Sequence, residues 1–246
     1  MFTTRSPSQA ERATEILVVS HGSPSEPEEQ QVFIEALAGK IAAMTGCNAR
    51  GATLAKPGAL ERAIEGFSQP LVYPHFMADG WFVSTNLQNR LRRSGLNRWR
   101  MATPLGLIGT LPCLAQQMIG AELQKHSLQN KETTLVIAAH GSPSDPRPAR
   151  ATKAFAEKLR SSGNFLQVRV GYVDEEPSIE EAASIKGPAI VLPFFAARAG
   201  HVLFDLPKAL AKASFSGPVL APIGTWEEIP RLIAEELKSR QEAEVA

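Results

Sequence analysis

A repeated nine-residue segment is the feature of this sequence that most constrains its fold. Residues 16–24 read ILVVSHGSP and residues 135–143 read LVIAAHGSP, so an apolar run ends twice, 119 positions apart, in the same His-Gly-Ser-Pro turn. Further landmarks follow in the same order in both halves. They are the segments from Gly51 and Gly171 at an offset of 120, the apolar runs 71–81 and 190–201, and the motifs 102–106 and 220–224. This self-similarity predicts two copies of one structural unit.

Each copy alternates short runs rich in Val, Ile and Leu with helix-patterned stretches, which is typical of parallel βαβ units. In the second copy we expect strands at 134–139, 166–173, 188–194 and 218–222, and helices near 147–161, 178–184, 204–213 and 226–241. The fold class is therefore α/β, with two similar lobes, each a parallel β-sheet flanked by helices. The polar segment 125–133 divides the chain into domains 1–128 and 129–246, although helix 111–126 is free to cross between lobes.

Composition excludes several classes of protein. Lys and Arg number 26 against 25 Asp and Glu, and a net charge of +1 gives no indication of a nucleic-acid partner. Cys47 and Cys113 lack the paired spacing of a disulfide framework or a zinc ribbon. The chain has no apolar run of about 18 residues, and its first residues lack the apolar core of a signal peptide. We therefore expect a cytoplasmic protein without a membrane partner.

The residues that can carry chemistry lie at the strand ends of the second copy. His140 ends the first strand, the run Asp174-Glu175-Glu176 ends the second, and the segment 193–201, which ends in His201, leaves the third. Because the carboxyl ends of parallel strands share one edge of a sheet, these groups can converge. Two imidazoles and a carboxylate suit a first-row divalent ion such as iron, cobalt, nickel or zinc. A neutral imidazole can also accept a proton near pH 7.

Each of these elements also has an ordinary structural interpretation. A His-Gly-Ser turn is typical of a helix entry capped by Ser142 or Ser144. An acidic run is typical of a solvated helix N-terminus, and an isolated histidine such as His201 of a core or surface position. The convergence of three loops on one sheet edge favours a site.

The first copy keeps only part of the set. His21 matches His140, but with one extra residue placed in the second copy, Trp81 stands opposite His201, and residues 54–56 (Leu-Ala-Lys) stand opposite the acidic run. A difference confined to polar positions indicates that the chemistry is concentrated in the second copy, with sequence drift as the competing explanation.

Three other residues of the first copy are further candidates for the cleft. His75 stands opposite Phe194, and Asp79 and Trp81 lie a few positions beyond it. A Trp indole can stack on a flat ligand or pack in the core of its lobe.

The second copy resembles the CbiX-type sirohydrochlorin chelatases. The resemblance is carried by the strand ending in HGSP, the acidic strand end before Pro-Ser-Ile-Glu-Glu, and the segment LPFFAARAGHVLFDLPKAL from Leu192. Because the first copy is a repeat of the second, the resemblance covers nearly the whole chain as two family units in tandem. It implies a class II chelatase fold, with two lobes around a tetrapyrrole cleft, that inserts Co²⁺ or Fe²⁺ into sirohydrochlorin for cobalamin or siroheme synthesis. Relatives handle Ni²⁺.

The resemblance also implies roles for individual residues. His140 and His201 are the paired metal-site histidines, Asp174 is the expected catalytic carboxylate, and Glu175 is the expected carboxylate on the metal. Which of the three acidic residues, Glu176 included, assists the histidines stays open. The metal ion is a substrate, and no organic cofactor is implied.

The tetrapyrrole is flat and carries many carboxylates, which predicts both apolar and basic contacts. Ser142, Arg147, Phe194 and Arg198 are the expected contacts, with Arg150 and Phe195 as further candidates. Solvated helix arginines are the alternative for each guanidinium. The basic run 90–100 is expected to be a solvated face or a subunit contact, which leaves a homodimer open.

Other functions fit the sequence less well. Histidine phosphatases place Arg before the strand-end histidine, whereas Ser20 and Ala139 stand there in this chain. The G-x-S-x-G elbow of serine hydrolases is missing from both HGSP copies. The main alternative is a non-catalytic carrier that binds a metal or a tetrapyrrole on a degenerate chelatase fold.

Overall fold

The computed structural model describes residues 14–245, with side chains as far as Arg240. The first repeat contains β1 Glu15–Ser20, α1 Pro27–Thr45, β2 Asn48–Thr53, α2 Ala59–Ile64, β3 Leu71–Pro74, α3 Gln88–Arg93, β4 Arg100–Met101 and α4 Leu111–Lys125. The second contains β5 Thr134–Ala139, α5 Pro146–Ser162, β6 Gln167–Tyr172, α6 Ile179–Ala183, β7 Ala189–Pro193, α7 Leu206–Lys212 and α8 Ile229–Val245. A π-helical turn precedes α3 at Phe82–Leu87 and α7 at His201–Asp205.

The strands form two parallel sheets within the described residues, in the orders β2-β1-β3-β4 and β6-β5-β7. Every position of β5 is buried, and so is every position of β1 after Glu15. Strands of this kind are apolar on both faces because helices cover both sides of the sheet. The α/β fold with two similar lobes, predicted from the repeat, is confirmed.

Strand pairing fixes how the two repeats correspond. Ser20 pairs with Thr53 in the first sheet, and Ala139 pairs with Tyr172 in the second, so both β-pairs share the offset of 119. The offset of 120 expected from the glycines is wrong. Gly51 pairs with Val18, whose counterpart at an offset of 119 is Ile137. Gly171 instead pairs with Ala138, the next residue of β5.

The prediction of a strand at 218–222 is also wrong. In the described chain this segment contributes a single bridge, between Val191 and Val219, where the first repeat has the two-residue strand β4. Pro218 and Pro222 lack the N–H groups that a longer ladder needs, which limits the pairing.

The last helix of each repeat packs on the other repeat. Gln116 of α4 donates to the carbonyl of Ser162 at the end of α5, with Nε2 2.7 Å from the oxygen. Arg240 of α8 donates to Thr103 Oγ1, and Thr103 donates to Glu236 of α8 over 2.6 Å. One hydrophobic core runs through α1, α4, α5 and α8. The boundary near residue 128 lies between α4 and β5, and its role as a domain boundary stays a prediction.

No helix in the described part of the chain is both long enough and apolar enough to cross a membrane.

We predict that substitutions in α8 destabilise both lobes together. Ile233→Ala removes a fully buried side chain from the shared core and should lower the free energy of unfolding by about 2–5 kcal/mol. Urea unfolding followed by circular dichroism and by tryptophan fluorescence should shift as one transition. Lys238→Ala, on the exposed side of α8, is the matched control. Two separate transitions, of which only one moves, would contradict the shared core.

Candidate functional site

A cleft of about 740 Å³ opens between the two lobes, where the strands β1, β3, β5 and β7 end. Loops at the carboxyl ends of parallel strands are the usual ligand-binding region of such sheets. Both repeats contribute walls. The side chains that matter below are His21, His75, Trp81 and Phe82 from the first repeat, and His140, Asp145, His201, Phe204 and Asp205 from the second.

His140 is held by the turn that follows β5. Its Nδ1 lies 2.9 Å from the carbonyl oxygen of Gly141 and 3.2 Å from Asp174 Oδ2. Gly141 has a φ of 74°, and a Cβ there would lie 2.7 Å from the Glu175 side chain, so the turn requires glycine. Glu175 in turn accepts a hydrogen bond from the backbone N–H of Ser142 over 2.9 Å.

His201 begins the π-helical turn that leaves β7. Its Nδ1 lies 2.8 Å from Asp205 Oδ2, four residues further along the same turn. The rings of His140 and His201 stand edge to face, with centroids 4.3 Å apart and an interplanar angle of 77°. The sequence alone does not identify Asp205 as a partner of His201, because this i,i+4 contact depends on the helical turn.

The two histidines present the same ring nitrogen to the cleft for the same reason. Carbonyl and carboxylate oxygens only accept hydrogen bonds, so each neutral imidazole must carry its proton on Nδ1. The Nε2 lone pairs of His140 and His201 are thereby left free. A carboxylate behind the other nitrogen is the usual support of a metal-binding histidine, since it fixes the tautomer and raises the basicity of the ligand atom.

The first repeat copies this geometry with different residues. His21 Nδ1 lies 2.9 Å from the carbonyl oxygen of Gly22, and the His21 and Phe82 rings stand edge to face at 4.3 Å and 85°. The two π-helical turns begin at Phe82 and His201, again 119 positions apart. The alignment of Trp81 with His201 is therefore wrong, because no residue is inserted, and Phe82 takes the place of the second histidine.

The carboxylates behind the histidines are missing from the first repeat as well. Ala55 donates its N–H to the carbonyl of His21 as Asp174 does to that of His140, which makes Ala55 the counterpart of Asp174. The acidic run therefore lies opposite residues 55–57, one position later than expected. Asn86 stands at the position of Asp205. The first repeat thus keeps one imidazole and loses the three groups that surround its counterpart.

His75, a buried residue of the cleft lining, joins the two lobes. It is 1% exposed, and its Nε2 lies 2.8 Å from the carbonyl oxygen of Ala196. Burial lowers the pKa of His75 to about 4, so the ring is neutral and donates through Nε2. Its counterpart by offset is Phe194, as the sequence indicated.

Asp145 and Arg147 form a second contact between the lobes. Asp145 caps α5 and accepts both a fork of hydrogen bonds from Arg147 and one from the backbone N–H of Trp81 over 3.0 Å. The Arg147 guanidinium holds the pKa of Asp145 well below its usual range. Arg147 also donates to the Asp79 carbonyl over 3.1 Å and to Ser84 Oγ over 2.8 Å.

The structure distributes the remaining expected contacts unevenly. Ser142 and Phe194 both line the cleft, although Phe194 is only 2% exposed and also packs against Phe155, with ring centroids 4.5 Å apart. Arg198 is exposed outside the cleft lining, and its carbonyl accepts a hydrogen bond from Gln30 over 3.0 Å. Among the described residues that line the cleft, none is Lys or Arg. The roles assigned from the sequence stay predictions.

Exposed aromatic side chains stand at the walls of the cleft instead. Trp81, Phe82 and Phe204 are 50%, 40% and 68% exposed. Side chains this apolar are normally buried, so a group of them at one cleft indicates a surface for an apolar ligand. The sequence does not single out Phe204, which stands at the start of the helix expected near 204–213.

Within residues 14–245 the structure contains no group of three or more His, Cys, Asp or Glu side chains arranged to hold a metal ion. The site is a pair of histidines with a carboxylate behind each ring. Glu175, expected on the metal, is hydrogen bonded to Ser142 and lies outside the cleft lining.

Two parallel-sheet lobes around one cleft, with paired histidines on one wall, define a class II chelatase fold. The comparisons with known proteins agree. CbiX, described as the terminal enzyme for biosynthesis of siroheme in denitrifying bacteria, is 39% identical and covers 92% of this chain and 98% of its own, with a TM-score of 0.84. The sequence profile of the CbiX family matches residues 134–240. The chain belongs to the CbiX family of sirohydrochlorin chelatases.

More distant relatives share the fold alone. SirB from Bacillus subtilis, solved with Fe³⁺, is 15% identical and covers 92% of this chain and 95% of its own, with a TM-score of 0.75. A multi-domain protein from Deinococcus radiodurans with similarity to chelatases is 21% identical over 91% of this chain and 54% of its own, with a TM-score of 0.64. A comparison with curated protein sequences found no match.

We predict that His75 makes stability depend on pH. The unfolded chain protonates this imidazole near pH 6.5, whereas the folded protein holds it neutral to about pH 4, so acid favours unfolding across this window. Stability should fall by about 3 kcal/mol from this residue between pH 6.5 and 4. The His75→Phe variant, which carries the residue of the second repeat, should show a flatter profile in urea unfolding. Parallel profiles for the variant and the wild type would contradict the assignment.

Proposed function

We propose that the protein inserts a divalent metal ion, Co²⁺ or Fe²⁺, into sirohydrochlorin or a related tetrapyrrole, in siroheme or cobalamin synthesis. Ni²⁺ is a further candidate, and the reaction uses no organic cofactor. The observation that carries the proposal is the edge-to-face pair of His140 and His201, with free Nε2 atoms at the wall of a cleft open to both lobes. The 39% identity to CbiX supports it over almost the full length of both chains. We place the reaction in the cytoplasm.

The histidine pair can bind a metal ion and give it up again. Two imidazole nitrogens satisfy only part of the coordination shell of a first-row ion, so solvent or the ring nitrogens must complete it. Asp174 contacts His140 and Asp205 contacts His201 on the Nδ1 side of each ring, where the two carboxylates balance charge without blocking the free Nε2 atoms. A site of this kind suits delivery of the ion better than permanent storage.

The cleft can hold a flat macrocycle by its apolar faces. Trp81 and Phe82 extend from one lobe and Phe204 from the other, and such rings stack on a conjugated ligand. Arg147 is hydrogen bonded to Asp145, and Arg198 lies outside the cleft lining. We therefore expect the carboxylates of the substrate at the edge of the cleft that is open to solvent.

The histidine assignment predicts a loss of metal insertion. Purified protein with sirohydrochlorin and Co²⁺ or Fe²⁺ should metallate the ring faster than the spontaneous reaction, as followed by absorption. His140→Ala and His201→Ala should each lower the rate by at least about 10²-fold, because each removes a ligand atom. The control is His126→Ala, which removes an exposed histidine at the C-cap of α4. Wild-type rates in both cleft variants would refute the site, and ring binding without turnover would favour the carrier function.

The aromatic walls predict a different kind of effect. Phe204→Ala should weaken binding of the metal-free ring by about 10-fold, as expected for the loss of one stacked aromatic contact. Arg198→Ala should change the affinity less than twofold at physiological salt, since its side chain lies outside the cleft lining. Fluorescence quenching of Trp81 and the other tryptophans by the ring provides the measurement. A larger loss in Arg198→Ala than in Phe204→Ala would instead support Arg198 as a contact to the carboxylates of the ring.

A further inference from the structure

The proposed reaction needs a proton acceptor in addition to a metal site, and this inference rests on the proposed function. A metal ion replaces two N–H protons of the ring, so two protons must leave for each ion that enters. A histidine whose Nε2 lone pair binds the metal cannot accept a proton with the same atom. In His140 and His201 the other nitrogen already carries a proton shared with an oxygen.

The other titratable side chains of the cleft are poorly suited to the task. Asp145 is held by Arg147, which makes the carboxylate a weak base. His75 is buried, and its Nε2 donates to the Ala196 carbonyl. Asp205 already accepts a hydrogen bond from His201 Nδ1. Among the described residues that line the cleft, this leaves His21 as the acceptor with a free nitrogen.

The geometry of His21 fits this role. Its Nδ1 donates to the Gly22 carbonyl over 2.9 Å, which leaves the Nε2 lone pair free, as in the metal-site histidines. The Phe82 ring stands edge to face with the imidazole at 4.3 Å and fixes its plane. The side chain is partly exposed, so a proton taken from a ligand can pass to water.

A purely structural role explains His21 less well. The described structure gives its side chain one hydrogen bond, to the carbonyl of the next residue, so no hydrogen bond from the imidazole holds another segment in place. Phe82, Ala55 and Asn86 have replaced the groups that make the counterpart of His21 a metal site. What survives in the first repeat is an isolated imidazole in the cleft, which is a base without a metal site.

We propose that His21 is the catalytic base that removes the pyrrole protons while His140 and His201 deliver the metal ion. At each step an N–H bond of the ring breaks and its proton forms a bond to His21 Nε2. The electron pair stays on the ring nitrogen and forms the bond to the metal. His21 then releases the proton to water and is ready for the second one. The wall from the second repeat thereby delivers the metal ion, and the wall from the first repeat removes the protons.

The test separates proton transfer from metal binding. His21→Ala should lower single-turnover metallation of sirohydrochlorin by about 10²–10⁴-fold, the usual contribution of a general base. Added imidazole should restore part of the rate, which it would not do for a residue needed only for folding. Co²⁺ binding to the ring-free protein, measured from its absorption, should stay within twofold of wild type in His21→Ala and be lost in His140→Ala. His126→Ala is the control for the removal of a histidine.

Each result bears on the proposal directly. A wild-type rate in His21→Ala would overturn it, and so would loss of Co²⁺ binding in this variant, which would make His21 a metal ligand instead. A slow variant that imidazole does not rescue, with thermal unfolding shifted from wild type, would show a structural role and also overturn it. Failure of the wild-type protein to metallate any ring would refute the proposed function itself, a result distinct from these.

Discussion

The exchange of terminal helices between the two repeats is the contact on which the cleft depends. α4 leaves the first sheet to pack on α5, and α8 returns from the second sheet to pack on α1, so each sheet is completed by a helix of the other repeat. The burial of apolar surface along these helices is the main favourable term in joining the lobes. Since the strand ends are fixed within each sheet, fixing the sheets to each other also fixes the distance between the two walls.

Polar contacts at the mouth of the cleft complement this apolar core. Arg147 of the second lobe bonds to the carbonyl of Asp79, and Gln30 of the first bonds to the carbonyl of Arg198, which stands at the equivalent position 119 residues later. His75 adds a third bridge to Ala196. These bonds end on the loops that lead to Phe82 and His201. Arg147 and Arg198, which the sequence suggests as substrate contacts, therefore take part in hydrogen bonds that hold these two loops against the opposite lobe.

The sequence is sufficient to predict the parts of the site that follow from strand ends. His140 and His201 follow from the rule that loops of parallel strands share one edge, and the structure brings their rings together. The counterpart of His201 cannot be located from the sequence to within one residue, because the register of the two repeats is fixed by the strand pairing and the π-helical turns. The partners of Arg147 include a backbone carbonyl from the other lobe, which no pattern of side chains reveals. The exposure of Phe204 likewise depends on the rotation of a π-helical turn.

The proposed metal insertion in a single cleft accounts for the difference between the two repeats. Two identical walls would place two metal-binding pairs around one ring, although one ring accepts one ion. With Phe82 in place of His201, Ala55 in place of Asp174 and Asn86 in place of Asp205, the first repeat lacks the proposed metal site but keeps the π-helical turn and the strand-end hydrogen bond. Drift alone would be expected to alter the first imidazole as readily as its neighbours. The survival of His21, with its Nδ1 hydrogen bond intact, is the asymmetry that a role in proton removal explains.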